Sequence, residues 1–376
     1  MCLCSIPGNE GLEPHGGVCQ TGQVPPRDRD YARATRRIET AVSRPELTPD
    51  EIVRSFLEES AELLGTSSSC WHATDPGTGA LVDGAEAGGA PGSLAESLVY
   101  EYRRPDVNRF AELAIAREKV ASIATATGDH PSSSARFREM IEPTGTADEL
   151  RVVFSDAYGM WMSLVIFTQR RMTEEDLRFV SDVVPTATSA IRRAATMPVG
   201  EPVMSAAAED GTAPSVLLLD ACDHIVSADA MARKRLALLP SPGGDQAPGV
   251  ISFLAARARW DRDGGPATAR MRALDGRWFE IDVSVLDDAG SGNVAAVIQP
   301  AASEHVLDSV LRAMGLSARE REVAALLAQG RPTKSIATML QLSPWTVQDH
   351  VKAVYAKTGV SRADLGALGA QPAITN

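Results

Sequence analysis

In the first half of the chain, apolar residues recur at helical spacing in segments that flank shorter, strand-like apolar runs. A capping box at 48–51 begins one helix, which Gly65 ends, and a second capping box at 173–176 begins a long helix. Between them the pattern predicts two hairpins, with strands at 70–73, 80–82, 150–155 and 160–168. This order of helices and hairpins indicates an α+β domain over residues 31–197.

A second, smaller strand-rich block follows. Residues 198–213 are rich in Ala, Gly, Pro and acidic residues, which indicates a linker. The next elements predicted are strands at 216–220 and 224–228, a helix at 230–239, and strands at 269–274, 278–286 and 293–299. This block, residues 214–300, is short and its middle helices are abbreviated, which argues against a roomy ligand cavity within it.

The two blocks resemble sensory domains. The order of elements in 31–197, closed by a strand and a long helix, resembles a GAF domain. The block at 214–300 resembles a short PAS domain, because it opens with two strands and a helix and closes with three strands. These resemblances imply that the two blocks sense or relay a signal.

Residues 316–376 carry a more specific pattern. Capping and stop signals predict three short helices, which lie between Ser317 and Gly330, from Thr333 to Leu340, and between Ser343 and Gly359. The connection between the second and third helices, residues 341–342, is very short. Two short helices joined by a tight turn are typical of a helix-turn-helix, whose second helix enters the major groove of DNA.

A series of residues at fixed spacing strengthens this prediction. They are the run Leu-Ser-Ala-Arg-Glu-Arg-Glu-Val at 316–323, Gly330, the run Lys-Ser-Ile-Ala at 334–337, Leu340, Ser343, Thr346, Val347, His350, and the run Lys-Thr-Gly-Val at 357–360. Over about 50 residues this series resembles the LuxR-type helix-turn-helix family residue by residue. The resemblance implies that the third helix binds promoter DNA.

Helical spacing also separates the two faces of the third helix. Val347, Val351 and Val354 recur at i, i+4 and i+7, so they are expected to face the first helix. We interpret His350 as a packing residue in preference to a base reader. The polar side chains of the opposite face then point toward the DNA groove.

We predict eight DNA-binding residues: Lys334, Ser343, Trp345, Thr346, Gln348, Asp349, Lys352 and Lys357. Lysine side chains neutralise the phosphates of the DNA backbone. The free backbone amides at the start of the third helix also attract phosphates. The amide of Gln348 can pair with adenine. We expect Lys352 and Lys357 to contact the backbone, with help from Lys334 on the second helix.

Three departures from the family pattern bear on affinity. The family commonly has Lys where this chain has Gln348, and Asp349 places an acid in the groove. The junction at 360–362 is one residue short, and the fourth helix, 363–370, is interrupted by glycine. We therefore expect DNA binding with altered specificity, modest affinity as a monomer, and a less secure dimer contact at the fourth helix.

Charge is distributed unevenly along the chain. The 376 residues include 37 Lys and Arg against 49 Asp and Glu, a net charge of −12. Residues 316–376 carry seven basic and four acidic residues, or +3, which leaves −15 for the preceding 315. A small basic module on an acidic body fits a protein that touches a polyanion at one end. The split also suggests that the acidic body docks on the module and masks it in one state.

The rest of the sequence argues against other classes of protein. Paired catalytic carboxylates, a nucleophile elbow and a phosphate loop do not occur in a convincing context, so we predict no enzyme activity and no cofactor. His72 and His224 lie on predicted strands, where a packed or surface histidine is far commoner than a ligand. No run of about 18 apolar residues predicts a membrane span. No secretory signal is recognised, and five cysteines fit a reducing cytoplasm.

The N-terminal residues 1–30 are rich in Gly and Pro and indicate a disordered extension. Cys2, Cys4, His15 and Cys19 could in principle bind zinc, but their spacing matches no usual zinc finger, so we predict no metal.

The fold class predicted is therefore multidomain: α+β GAF-like and PAS-like sensory domains, a linker helix at 301–315, and an all-α four-helix LuxR-type domain at 316–376. The function predicted is a cytoplasmic, one-component transcription regulator that binds double-stranded DNA as a homodimer. A small-molecule effector and RNA polymerase are its further candidate partners. The alternative is a sensory scaffold whose helix-turn-helix has lost specific DNA binding. A quorum-sensing receptor or a phosphorylated response regulator fits less well, because neither family's N-terminal pattern is found.

Overall fold

The computed structural model describes residues 28–104, 106–195, 213–240, 246–260, 267–286 and 292–370. The four candidate zinc residues of the N-terminal extension and nearly all of the predicted linker at 198–213 lie outside these ranges. The first helix begins at Asp28, so the end of the predicted disordered extension is helical. Its buried side chains Ala34 and Ile38 pack into the first core, which explains why the helix forms there.

The first unit is a five-stranded antiparallel sheet with helices around it. Its elements are α1 Asp28–Val42, α2 Pro49–Leu64, β1 Thr66–Thr74, β2 Leu81–Ala87, α3 Leu94–Leu98, α4 Phe110–Ile115, β3 Val120–Ser122, α5 Ile123–Ala126, β4 Asp148–Asp156, β5 Gly159–Thr168 and α6 Glu174–Ala194. The strand order is β2-β1-β5-β4-β3. Both predicted capping boxes, at the starts of α2 and α6, are present.

One face of this sheet is covered by α1, α2 and α6. Their apolar stripes, with Ile38, Phe56 and Val180 fully buried, pack against Leu164 and other inward residues of the strands. Between the two hairpins the chain forms several short helical segments. Gly128 and Gly145 both adopt positive φ values and interrupt the chain there.

The second unit repeats the sheet of the first on a smaller scale. Its elements are β6 Ser215–Leu219, β7 Ile225–Ala228, α7 Ala230–Leu236, α8 Gly249–Trp260, β8 Ala267–Arg272, β9 Trp278–Val285 and β10 Val294–Pro300. The strand order β7-β6-β10-β9-β8 is the same as in the first unit. Leu254 of α8 packs directly on the core of this sheet, which includes Phe279 and Ile281.

The two sheet-bearing units interlock through β2. Ala80 and Val82 are buried in the core of the second unit. Asp75 Oδ2, in the turn before β2, accepts a hydrogen bond from the backbone N–H of Arg270 at 3.0 Å. The two units are therefore packed against each other by apolar and polar contacts.

The C-terminal domain is helical, as predicted. It contains α9 Ser303–Ala313, α10 Ala318–Ala328, α11 Thr333–Met339, α12 Pro344–Thr358 and a short 3-10 helix at Gly366–Gly369. The fourth helix expected at 363–370 is not an α-helix, because this segment forms only the short 3-10 helix. A Cβ on Gly369 would collide with the Ser303 carbonyl oxygen, so the segment approaches α9 too closely for a regular helix with larger side chains.

α9 is more than a linker. Leu307 and Leu311 pack with Leu316, Val354 and Leu365 in one apolar cluster. Ala313, the last residue of α9, belongs to the core of the first unit. Among the described residues, no helix is long and apolar enough to cross a membrane.

Candidate nucleic-acid interface

Local capping positions the three helices of the C-terminal domain. Glu320 Oε2 accepts from the Ser317 backbone N–H at 2.7 Å, and the Ser317 hydroxyl accepts from the Glu320 N–H at 3.3 Å. Between α11 and α12 the chain turns at Gln341, whose φ of +53° lies in the left-handed region. Ser343 then caps α12, and Gly359 ends it in the left-handed conformation, as predicted.

The apolar face of α12 is the one predicted from the valine spacing. Val347 and Val354 are fully buried and Val351 nearly so. Val347 and Val351 pack with Val323 of α10 and Ile336 of α11. The helix is therefore held by this apolar face, and the side chains on its opposite face are exposed.

The outer face of α12 carries an exposed polar and aromatic surface. Trp345 is 77% exposed, and Gln348, Asp349 and Lys352 are exposed as well. The Lys352 ammonium lies 3.3 Å from Asp349 Oδ1 and 5.9 Å from the centroid of the Trp345 ring. We call Trp345, Gln348, Asp349 and Lys352 the outer face of α12. Geometry brings together four of the eight predicted residues here.

Two more predicted residues shape the start of α12. The Ser343 hydroxyl accepts from the Thr346 N–H at 3.0 Å, and the two hydroxyl oxygens lie 2.8 Å apart. Both side chains thus already serve the helix cap, although Ser343 stays exposed. Lys334 is exposed near the start of α11. His350 is half-buried, and its predicted packing role stays a prediction.

The structure gives Lys357 a partner that the sequence did not suggest. Its Nζ lies 2.6 Å from Glu320 Oε2, so it joins the end of α12 to the start of α10. Burial alone would raise the pKa of Glu320, but the ammonium of Lys357 and the hydrogen bonds from Ser317 hold the pKa below its usual value. Lys357 therefore lies apart from the outer face of α12 in both position and contacts.

A polar junction joins the first unit to α9. Arg192 of α6 binds Asp156 Oδ2 through Nε at 2.9 Å and the Ala313 carbonyl through Nη1 at 3.1 Å. Arg312 Nη1 donates to the Tyr158 carbonyl at 3.1 Å, and the Arg192 guanidinium lies 4.8 Å from the Tyr158 ring centroid. We call these five residues the junction. Its residues are too far apart in sequence for any spacing rule to have found them.

Among the described residues, no group of three or more His, Cys, Asp and Glu side chains could hold a metal ion. The candidate Cys and His residues of the N-terminal extension lie outside the described part of the chain. The exposed side chains of the C-terminal domain include those of Lys334, Gln348 and Trp345.

Comparison with known proteins agrees with this geometry for one part of the chain. Residues 314–365 match the family described as bacterial regulatory proteins, luxR family. A search of curated proteins finds no match.

Several solved structures are similar to parts of the chain. They include the VqmA dimer of Vibrio cholerae, described as a LuxR-type receptor (18% identity, 42% of this chain and 81% of that chain, TM-score 0.18). Two others are a bacteriophytochrome of R. palustris (13%, 72% and 62%, TM-score 0.33) and the GAF domain of a cyanobacterial phytochrome (19%, 44% and 92%, TM-score 0.27). At TM-scores this low, the similarity carries no inference about ligand or mechanism.

Proposed function

Because residues 314–365 form a helix-turn-helix domain of the luxR family of bacterial regulatory proteins, we propose that the protein is a transcription regulator that binds promoter DNA through α12. The observation that carries the proposal is the outer face of α12. It combines exposed donors and acceptors with a cation on a helix whose other face is locked into the domain core. A helix held in this way can enter the major groove without losing its own packing.

The outer face divides into two kinds of contact. Lys352 is a cation suited to a phosphate, where contacts set affinity without reading sequence. The Gln348 amide is suited to an adenine edge. Trp345 offers a large apolar surface for a thymine methyl group.

Gel-shift titration of the full chain against its own upstream DNA, at two salt concentrations, tests the proposal. We expect a sequence-dependent shift whose affinity falls steeply with salt. Lys352→Ala is expected to weaken binding to all sequences alike and to lower the slope of log K against log salt by about 0.9. Gln348→Ala is expected to relax preference at one base pair, because a bidentate base contact contributes about 1–3 kcal/mol.

Arg117→Ala is the matched control, since Arg117 lies on the first unit with its side chain 96% exposed and should leave the slope unchanged. Absence of any shift at low salt would contradict the proposal. If Gln348→Ala changes the salt slope and Lys352→Ala changes base preference, the two roles have been exchanged.

The oligomeric state and the protein partner of the regulator are further parts of the proposal. We propose that the chain binds DNA as a cytoplasmic homodimer, because one short helix contacts few bases and paired half-sites raise affinity. RNA polymerase is then the partner that the bound dimer would contact. A complex of two chains with a DNA of two half-sites, measured by sedimentation, is the expected result.

We propose further that the N-terminal units pass a signal to α12 by population shift. In the arrangement described here the outer face of α12 is exposed, so the masked state suggested by the −15 and +3 charges would be a different one. Deletion of the acidic body tests this. The deletion must keep α9, because Leu307 and Leu311 lie in the core of the C-terminal domain. Unchanged operator affinity after deletion, with and without effector, would rule masking out.

One observation favours the alternative of a scaffold that does not bind DNA specifically. Asp349 pairs with Lys352, so the outer face of α12 carries little uncompensated positive charge. Gel-shift titration of the Asp349→Asn variant distinguishes the DNA-binding regulator from the scaffold. A regulator should bind DNA more tightly after this change, because one repulsion is removed, whereas a scaffold should still give no shift.

A further inference from the structure

A cavity of about 610 Å³ opens between the first and second units. Cys70 and His72 of β1 line it from the first sheet, and Ser252 and Phe253 of α8 line it from the second unit. Small-molecule pockets in proteins usually have volumes of about 300–1,000 Å³. The volume is therefore large enough for an organic ligand, and the cavity belongs to both units.

The two units meet at an aromatic contact on the cavity wall. The Phe253 ring stands edge-on to the His72 ring, with centroids 5.5 Å apart and an interplanar angle of 89°. A Cβ on Gly84 would lie only 2.6 Å from His72 Cδ2, so the imidazole lies directly against β2. Leu81 and Leu98 of the first unit pack with Phe253 beside this contact. A ligand that touches this wall touches both units.

Three charged groups that line the cavity, those of Glu101, Glu149 and Arg151, form an ion-paired cluster with Arg136. Arg151 binds Glu149 through Nε at 2.8 Å and Glu101 through Nη1 at 2.9 Å, and Arg136 Nη2 lies 2.8 Å from Glu149. All four side chains are at least nine-tenths buried. Burial alone would raise the pKa of Glu149, but the two guanidinium groups hold it below its usual value. The cluster therefore holds two positive and two negative charges.

The remaining titratable groups of the wall are uncharged or acidic. Burial raises the pKa of the Cys70 thiol to about 12, and burial together with Arg151 lowers the pKa of His72 to about 4. At neutral pH both are therefore uncharged. Asp83 and Glu86 add negative charge at the lining. Among the described lining residues, an anionic ligand would meet only one guanidinium, Arg151, which two carboxylates already hold.

We propose that this cavity binds a mostly apolar organic molecule that carries no negative charge and contacts both sheet-bearing units at once. Occupancy would then strengthen the packing of α8 against β1 and β2. The inference goes beyond the regulator proposal and does not depend on DNA binding, which its test does not use.

A matched pair of dyes tests the charge preference on the full chain. The probes are N-phenyl-1-naphthylamine, which is uncharged, and its 8-sulfonate, which is an anion with the same ring system. We expect the uncharged dye to bind with a Kd at least about tenfold lower, which corresponds to about one unit of log K. Equal affinity for the two dyes, or no binding of the uncharged dye, would overturn the proposal.

Hydrogen exchange with the uncharged dye bound tests whether the site is shared. Slower exchange is expected in α8 and in β1 and β2 together, and slowing in only one unit would overturn the shared site. Phe253→Ala, which removes one wall, and Ser252→Leu, which fills space from α8, should each raise the dye Kd by about tenfold or more. Val226→Ala, on an exposed strand position of the same unit, is the control and should leave the Kd unchanged. If Phe253→Ala does not fold, Ser252→Leu decides, and an unchanged Kd there contradicts the proposal.

Discussion

Replacing Lys357 by Met separates the two roles that this residue can play. The sequence suggests a phosphate contact, whereas the structure places the ammonium 2.6 Å from Glu320 Oε2. Methionine keeps the apolar stem and removes the charge. If the residue joins α12 to α10, the change should loosen the domain and leave the electrostatic part of DNA binding as it was.

The magnitude follows from the exposure of the pair. The Lys357 side chain is 37% exposed and that of Glu320 11% exposed, which lies between a surface pair and a buried one. Exposed pairs contribute about 0–1 kcal/mol, and removing one partner of a buried pair costs about 3–5 kcal/mol. Discounted for the solvent around Lys357, we expect a loss of about 1–2 kcal/mol. That is a factor of about 5 to 30 in the local opening equilibrium.

Hydrogen exchange of α10 and α12 in the full chain measures this loss, and gel-shift titration at several salt concentrations measures the DNA contact. We expect exchange of both helices to be about 5- to 30-fold faster in Lys357→Met. The slope of log K against log salt should equal that of the wild type. If hydrogen exchange of α10 and α12 is unchanged and the slope of log K against log salt is lower by about 0.9, the structural role of Lys357 is refuted and a contact with a DNA phosphate is supported.

The pH dependence of the same exchange has a defined sign. The folded-state pKa of Glu320 is held below its usual value. Its stabilising effect is therefore complete above the pKa of the unfolded chain and is lost as the pH falls through the lower, folded-state pKa. After correction for intrinsic exchange, the wild type should lose protection over that acidic range, and Lys357→Met should lose less.

Three further substitutions test other parts of the structure. Leu311→Ala should cost about 2–5 kcal/mol and speed exchange in α10, because α9 belongs to the C-terminal core; unchanged exchange in α10 would show that α9 is a separate linker. Trp345→Ala should change stability by no more than about 0.5 kcal/mol, since the side chain is 77% exposed, and should abolish any loss of affinity caused by thymine-to-uracil replacement in the operator. Arg192→Ala should speed exchange in α9 and leave DNA affinity in the absence of effector within a factor of about two, and a large loss of that affinity would contradict its position at the junction.

Local chemistry explains what the sequence could predict. Capping boxes and helix-stop signals each involve only four or five neighbouring residues. The starts of α2, α6 and α10 and the end of α12 could therefore be predicted from the sequence. The valine spacing of α12 identified its buried face for the same reason, since a helix repeats every 3.6 residues. The outer face of α12 then follows by exclusion.

Contacts between distant residues account for what could not be predicted. Ala80 and Val82 lie at the start of β2 in the first unit, and nothing in their pattern shows that they are buried in the core of the second unit. The pairing of Lys357 with Glu320 depends on how α12 crosses α10, which no single helix encodes. The predicted fourth helix does not form as an α-helix, because glycine lowers helix propensity in this segment and the segment packs closely on α9.

The position of α9 limits how strongly one arrangement of the N-terminal units can control α12. α9 packs in the C-terminal core through Leu311 and in the first core through Ala313, so a movement of α6 must either break the contacts of Arg192 or carry α9 with it. Hydrogen bonds to charged groups contribute about 1.5–3 kcal/mol, which changes a two-state population by a factor of about 10 to 150. A complete switch from 1:99 to 99:1 needs about 5.5 kcal/mol. Loss of one such hydrogen bond can therefore tilt the equilibrium, and a full response requires a second contribution. The hydrogen bond from Arg312 to the Tyr158 carbonyl and the packing of α8 against β1 and β2 are the nearest sources.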